Sequence, residues 1–86
     1  MGFAVKFSLD AAKEIESMDR GTAKFILGWI DKNLAGIEDP FSRGKALSGN
    51  LAKLWRYRIG DYRLITKIEK KELIILAIDV GHRSTV

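Results

Sequence analysis

Apolar residues recur along this chain in two rhythms, and each rhythm predicts an element. Phe3, Val5 and Phe7 alternate with Ala4 and Lys6, so the chain opens with a strand whose apolar side chains share one face. Ser8 then stands as an N-cap with Asp10 in the first turn, and Leu9, Ala12, Ile15 and Met18 recur every three residues, as a helix requires. Asp19-Arg20-Gly21 interrupts that pattern. Asp19 or Thr22 caps a second helix, on which Ala23, Ile26, Leu27, Ile30 and Leu34 form an apolar stripe that Phe25 and Trp29 widen. Gly36 stops it. Residues 36–53, GIEDPFSRGKALSGNLAK, hold the single Pro with several Gly, Ser and Asn, and read as a long connection with one helical turn after Pro40. Three strands follow, near 54–59, 62–69 and 72–80. Gly60-Asp61 joins the first pair and Lys70-Lys71 the second, both short enough for tight hairpins. The order β-α-α-β-β-β makes an α+β fold, with residues 1–86 as one domain. A helical hairpin packs on a mainly antiparallel four-stranded sheet.

Alternation also sorts the two faces of the hairpin LWRYRIGDYRLI, residues 54–65. Across a two-residue turn, Ile59 opposes Tyr62, Tyr57 opposes Leu64 and Trp55 opposes Thr66, which gives an apolar face for the helices to cover. Arg56 and Arg58 lie on the other face, opposed by Ile65 and Arg63, with Lys67 further along. A slip of one residue would bury the arginines and expose Trp55 and Tyr57, so the register is well specified. The last strand is apolar on both sides and ends at Gly81-His82-Arg83, which brings Arg83 toward one end of the arginine face. Arg43, Lys45 and Lys53 lie in the connection, at the rim. Like charges placed opposite each other destabilise a sheet. An opposed pair of arginines with a third beside it therefore points to an anion between them, although a solvated basic surface is the commoner explanation of charge alone.

Composition narrows the chemistry. The 86 residues are 47% hydrophobic, with two Trp, two Tyr and four Phe, enough for one packed core. Fifteen Lys and Arg against eleven Asp and Glu give a net charge of +4, which permits an anionic partner. The chain has no Cys, hence no disulfide framework and no thiolate metal site, and a cytoplasmic location fits. No apolar run has the length of a membrane span, the start lacks the regions of a signal peptide, and Gly2 is not followed by Ser or Thr at position 6. His82, the one histidine, is either an exposed loop residue or a titratable group beside a cationic site. No His, Cys or Asp grouping has metal-ligand spacing, so no metal and no cofactor is expected. The phosphate loop GxxxxGK is absent, and Ser42, Ser48 and Ser84 have no evident triad partners. RNA requires none of these, because its own 2′-hydroxyl can attack the adjacent phosphate. A protein must align that attack and neutralise the charge that builds on the phosphoryl oxygens. Arginine forks suit the second task. The face is equally compatible with RNA binding without cleavage.

LWRYRIGDYRLI, the preceding GKALSGNLAKLWRY and the terminal VGHRSTV resemble the RelE branch of the RelE/ParE toxin superfamily, as does the order of elements. The resemblance spans the chain and is most specific over residues 44–65 and 80–86. It implies the toxin of a type II toxin–antitoxin pair, an endoribonuclease that enters the ribosomal A site and cuts mRNA without metal by 2′-hydroxyl attack. It also implies a cognate antitoxin as partner, in a toxin–antitoxin heterocomplex, with the ribosome and mRNA as the other partners and no membrane. Carried over by position, Arg58 and Arg63 clamp the scissile phosphate and Arg83 stabilises charge at the phosphate or the leaving group. Arg56, Lys45 and Lys53 hold RNA, and His82 is a candidate for proton transfer. Two departures matter. Arg58 falls where relatives carry a basic residue proposed as general base, and arginine does not give up its proton. Relatives also continue the GHR segment to a Tyr that stacks on a base, whereas this sequence ends at Val86, so either the sequence is cut short or a weaker activity is expected. Base stacking contributes roughly 1–3 kcal/mol. Two other classes share the features: a ParE-like inhibitor of DNA gyrase, and a non-catalytic RNA-binding module.

Overall fold

The computed structural model describes residues 2–47 and 54–82. The chain runs β1 (Ala4–Phe7), α1 (Leu9–Glu16), α2 (Arg20–Asn33), a 3-10 turn (Pro40–Ser42), β2 (Lys45–Ala46), β3 (Trp55–Ile59), β4 (Tyr62–Glu69) and β5 (Ile74–His82). The sheet has the order β1-β5-β4-β3-β2, with β1 parallel to β5 and the other neighbours antiparallel. The fold is α+β with two helices on a mostly antiparallel sheet, but the sheet has five strands where the hydrophobic pattern predicts four. The extra strand, β2, is two residues long, too short to carry a periodicity. It forms because Gly44, at φ +80°, turns the chain alongside β3.

Each helix starts where a side chain can cap it. Ser8 Oγ accepts the Ala11 N–H at 3.1 Å and Asp19 Oδ2 accepts the Thr22 N–H at 3.0 Å, so Asp19, not Thr22, caps α2. The buried stripes are narrower than the sequence suggests. On α1, Ala11 and Ile15 are buried and Leu9 is exposed. On α2, Ile26 and Ile30, with Leu34 beyond its end, meet the sheet, while Phe25 and Leu27 face outward. They join Phe3, Tyr57, Ile59, Leu64, Ile75, Ala77 and Val80 in one core.

The β3–β4 hairpin has the predicted register throughout, from Trp55 opposite Thr66 to Ile59 opposite Tyr62. Its turn works because Gly60 takes φ +60° while Asp61 does not take positive φ, the type II′ pattern. The β4–β5 connection departs from expectation. Lys70-Lys71 offers no residue suited to a two-residue turn, and the chain instead uses Lys70 to Leu73, with Leu73 at φ 56° and its N–H donated to the Lys70 carbonyl. As a result β5 begins at Ile74, not near 72, and runs to His82. A register shift also interrupts this pair: Ile65 faces Asp79 but Thr66 faces Ala77, which leaves Ile78 as an extra residue in β5.

Candidate functional site

Strand alternation and two short ladders gather the basic side chains on the face away from the helices. Lys45 on β2 pairs with Arg56 on β3, and Arg58 on β3 pairs with Arg63 on β4. Residues paired in this way share a face, so two like-charge pairs sit side by side in one sheet. Their partners on the opposite face, Tyr57 and Ile59, are fully buried under the helices. Arg56 and Arg63 are partly exposed and Lys45 and Arg58 are exposed.

Among the described residues, the Asp79 carboxylate reaches this row. Arg63 Nη1 lies 2.9 Å from Asp79 Oδ2, with the two side chains 24% and 40% exposed. The bulge at Ile78 makes the contact possible. It places Asp79 opposite Ile65 on the arginine face and keeps Val80, the next residue, in the core. Gly81 faces Arg63 across the ladder, and a methyl group there would make only ordinary contact with Nη2, at 3.8 Å. Behind Asp79, Glu14 of α1 closes the strand edge. β1 pairs with β5 only up to Ala77, and further along Glu14 Oε1 accepts the Val80 N–H at 2.9 Å. Burial pushes the Glu14 carboxyl above its usual value. The Val80 N–H opposes that shift, and a hydrogen bond with Asp79 and the charges of Asp79 and Asp10 add to it. Sequence reasoning missed both acids. Asp79 sits in a strand that reads as apolar on both sides, and only its spacing from Gly81 along one face would have pointed to it.

The loop before β2 closes the other end of the row. Trp55 Nε1 donates to the Arg43 carbonyl at 2.6 Å, and the Tyr57 hydroxyl donates to the Pro40 carbonyl at 2.6 Å. Burial, with the Asp39 charge as a smaller cause, pushes the Tyr57 phenol up to about 12, so it stays a donor at physiological pH. Between this loop and β3 lies a cavity of about 340 Å³, lined by Trp29, Arg43, Gly44, Lys45, Arg56, Tyr57 and Arg58.

Of the residues singled out from the sequence, the structure brings Lys45, Arg56, Arg58 and Arg63 together. Lys53 and Arg83 lie outside the described residues. His82 is placed differently from the expectation that it stands beside the arginines. It pairs with Tyr62, and the two rings meet edge to face with centroids 5.4 Å apart. Tyr62 packs against the core, so pleating turns His82 toward the helix side of the sheet. Among the described residues no group of three or more His, Cys, Asp and Glu could hold a metal ion, and no helix is long and apolar enough to cross a membrane.

The two-helix, five-stranded architecture is that of the RelE/ParE toxins. Residues 5–86 match the family model described as the ParE toxin of the type II toxin–antitoxin system parDE, and the chain belongs to that family. Solved structures share the fold. In the RelBE2 toxin–antitoxin complex of Mycobacterium tuberculosis, the similar chain is 23% identical with a TM-score of 0.86, covering 98% of this chain and 94% of that one. The archaeal RelE–RelB complex of Pyrococcus horikoshii gives 23% identity and a TM-score of 0.68, with full coverage of both chains. The isolated RelE toxin of E. coli gives 16% identity and a TM-score of 0.68, covering 94% of this chain and 84% of that one. No curated protein sequence matches the chain.

Proposed function

We propose that this toxin cuts messenger RNA in the ribosomal A site, without a metal or cofactor, and so blocks translation. The observation that carries the reading is the doubled like-charge pairing, Lys45 opposite Arg56 and Arg58 opposite Arg63, on the face the helices leave open. A sheet that binds no anion gains nothing from this arrangement. In the reaction, the 2′-oxygen of one nucleotide bonds to the adjacent phosphorus and the bond to the 5′-oxygen breaks. The products carry a 2′,3′-cyclic phosphate and a 5′-hydroxyl. Arg58 and Arg63 hold the scissile phosphate and offset the charge that builds on it. Arg83 is assigned to the same charge or the leaving group, and Arg56, Lys45 and Lys53 to the flanking RNA. Arginine keeps its proton, so proton transfer falls to another group. Asp79, in contact with Arg63, is better placed for it than His82, which would have to reach around the end of β5. In this reading the protein works in the cytoplasm and is held in check by a cognate antitoxin, as the RelBE2 and RelE–RelB complexes suggest.

The test is to add the purified protein to programmed ribosomes and map mRNA ends. New ends at A-site codons, lost in Arg63→Ala, are expected. Intact message with the parent protein overturns the reading. The ParE description of the matching family favours a second reading, a protein that inhibits DNA gyrase and cuts no RNA. A supercoiling assay run in parallel separates them: inhibition of gyrase with translation unaffected selects the second.

A further inference from the structure

The cavity beside β3 has the size, charge and walls of a site for one nucleotide. It exists because β2 is only two residues long. Beyond Lys45 the chain leaves β3, and the edge of β3 at Tyr57 and Arg58 faces a hollow instead of a neighbouring strand. The ladder bond from the Leu47 N–H to the Leu54 carbonyl sets the phase of this edge. Backbone groups of every second residue, Leu54, Arg56 and Arg58, point the same way, so those of Arg58 point at the hollow.

Three features distinguish this cavity from a gap in a basic surface. Among the described residues, its lining contains the cationic Arg43, Lys45, Arg56 and Arg58 and no acidic residue. Trp29 forms the helix side, and an indole face accepts any base by stacking. The loop wall is fixed in place. The Trp55 and Tyr57 side chains bond the Arg43 and Pro40 carbonyls, and Asp39 Oδ1 accepts the Phe41 N–H at 3.0 Å. Gly44 lies so close to β3 that a methyl group there would collide with the Arg56 carbonyl oxygen. A volume of about 340 Å³ is near the lower end of the roughly 300–1,000 Å³ range of ligand sites, which suits a single nucleotide.

We propose that this cavity is a nucleotide subsite. Arg43 and Lys45 take a phosphate, Trp29 takes the attached base, and Arg58 links the subsite to the clamp it forms with Arg63. The occupant is the nucleotide of a single RNA strand next to the scissile phosphate. This assignment rests on the reading of the arginine face as an RNA site, but the cavity can be tested without cleavage.

The experiment is an NMR titration of the isolated protein with 5′-AMP, adenosine, inorganic phosphate and a ribotrinucleotide. 5′-AMP is expected to shift the amides of Gly44, Lys45, Tyr57 and Arg58 together with the Trp29 indole N–H, with a Kd on the order of 1 mM. Phosphate shifts the loop amides and leaves the indole in place, and adenosine alone does not bind. The double variant Arg43→Ala, Lys45→Ala weakens 5′-AMP at least about tenfold, a loss of about 1.4 kcal/mol. Trp29→Leu weakens 5′-AMP but not phosphate. Lys6→Ala, on β1 at the far edge of the sheet, changes neither. Shifts confined to Arg63 and Asp79, or equal losses in all variants, overturn the assignment. A ribotrinucleotide that binds no tighter than 5′-AMP overturns its placement on an RNA strand. Ribosomal cleavage without 5′-AMP binding removes the subsite and keeps the proposed activity. 5′-AMP binding without cleavage does the reverse.

Discussion

Neutralising Arg58 should make the protein more stable. Arg58 faces Arg63 directly across the β3–β4 ladder, is itself exposed, and stands two residues from Arg56 on the same face. Opposed charges on a sheet contribute about 0.2–1 kcal/mol when unlike and cost a similar amount when alike. The substitution Arg58→Gln keeps the length of the side chain and removes its charge. We expect a gain of about 0.5 kcal/mol, which for a domain of this size raises Tm by about 2–4 °C. The gain is electrostatic, so it should be clear at about 0.01 M salt and gone at about 1 M, where the Debye length falls from roughly 30 to 3 Å. Neutralising the other member is not equivalent. Arg63 holds Asp79 at 2.9 Å, and Arg63→Gln leaves that carboxylate without its cation. It should bring no gain. Thermal unfolding followed by circular dichroism at both salt levels decides the matter. Inorganic phosphate supplies a second readout, because it should stabilise the parent more than Arg58→Gln if the opposed arginines bind it. A variant that melts at or below the parent's temperature in low salt would refute the account of mutual repulsion.

Other substitutions probe the supports of the site. Gly44→Ala forces a side chain onto a backbone at φ +80° and into the Arg56 carbonyl, so it should cost more than about 1–2 kcal/mol in urea unfolding and release the Lys45–Arg56 pairing. Tyr57→Phe removes the donor to the Pro40 carbonyl and should cost about 1–3 kcal/mol in the same assay, with the loop amides from residue 40 to 45 shifting in NMR spectra. Glu14 predicts a pH dependence. Its pKa is raised above 4.5 in the folded protein, so the folded state binds this proton more tightly than the unfolded one. The stability it contributes is complete below the ordinary value and is lost as pH climbs through the raised one. Glu14→Gln keeps an oxygen for the Val80 N–H and has no proton to lose. The stability difference between parent and variant should therefore change across that window and level off above it, and a difference constant with pH would exclude the cause.

The sequence made the fold legible wherever one face of an element is buried and the other is wet. In the β3–β4 hairpin this held residue by residue, since every alternate side chain from Trp55 to Ile59 belongs to a different environment, and the like-charged row on Arg56, Arg58 and Arg63 followed from the same count. It was less legible where geometry, not burial, decides. β2 arises from a single glycine at positive φ. The β4–β5 turn is set by Leu73, a residue with no turn signal in the sequence. The exposed Leu9 and Leu27 show that apolar spacing on a helix overstates the stripe that touches the sheet. At the site, the cations could be found by counting from Gly60, but the acids could not. Asp79 and Glu14 meet only because β1 ends early and a helix side chain completes the edge of β5.

The extra residue in β5 has a consequence that reaches beyond the pairing it disturbs. A strand alternates like a two-letter code, and Ile78 shifts its frame by one. Upstream of it, Ile75 and Ala77 point into the core; downstream, Val80 does, with Asp79 and Gly81 outside. Drawing Ile78 into the ladder as an ordinary paired residue would restore an unbroken frame and turn the far end of the strand over, sending Asp79 and Gly81 inward and Val80 out beside Arg63. Composition and charge would hardly change, yet the acid that steadies Arg63 would be on the wrong side of the sheet. In this small protein a one-residue slip of a strand would be a larger change than most substitutions, because it would reverse which face of the sheet carries the chemistry.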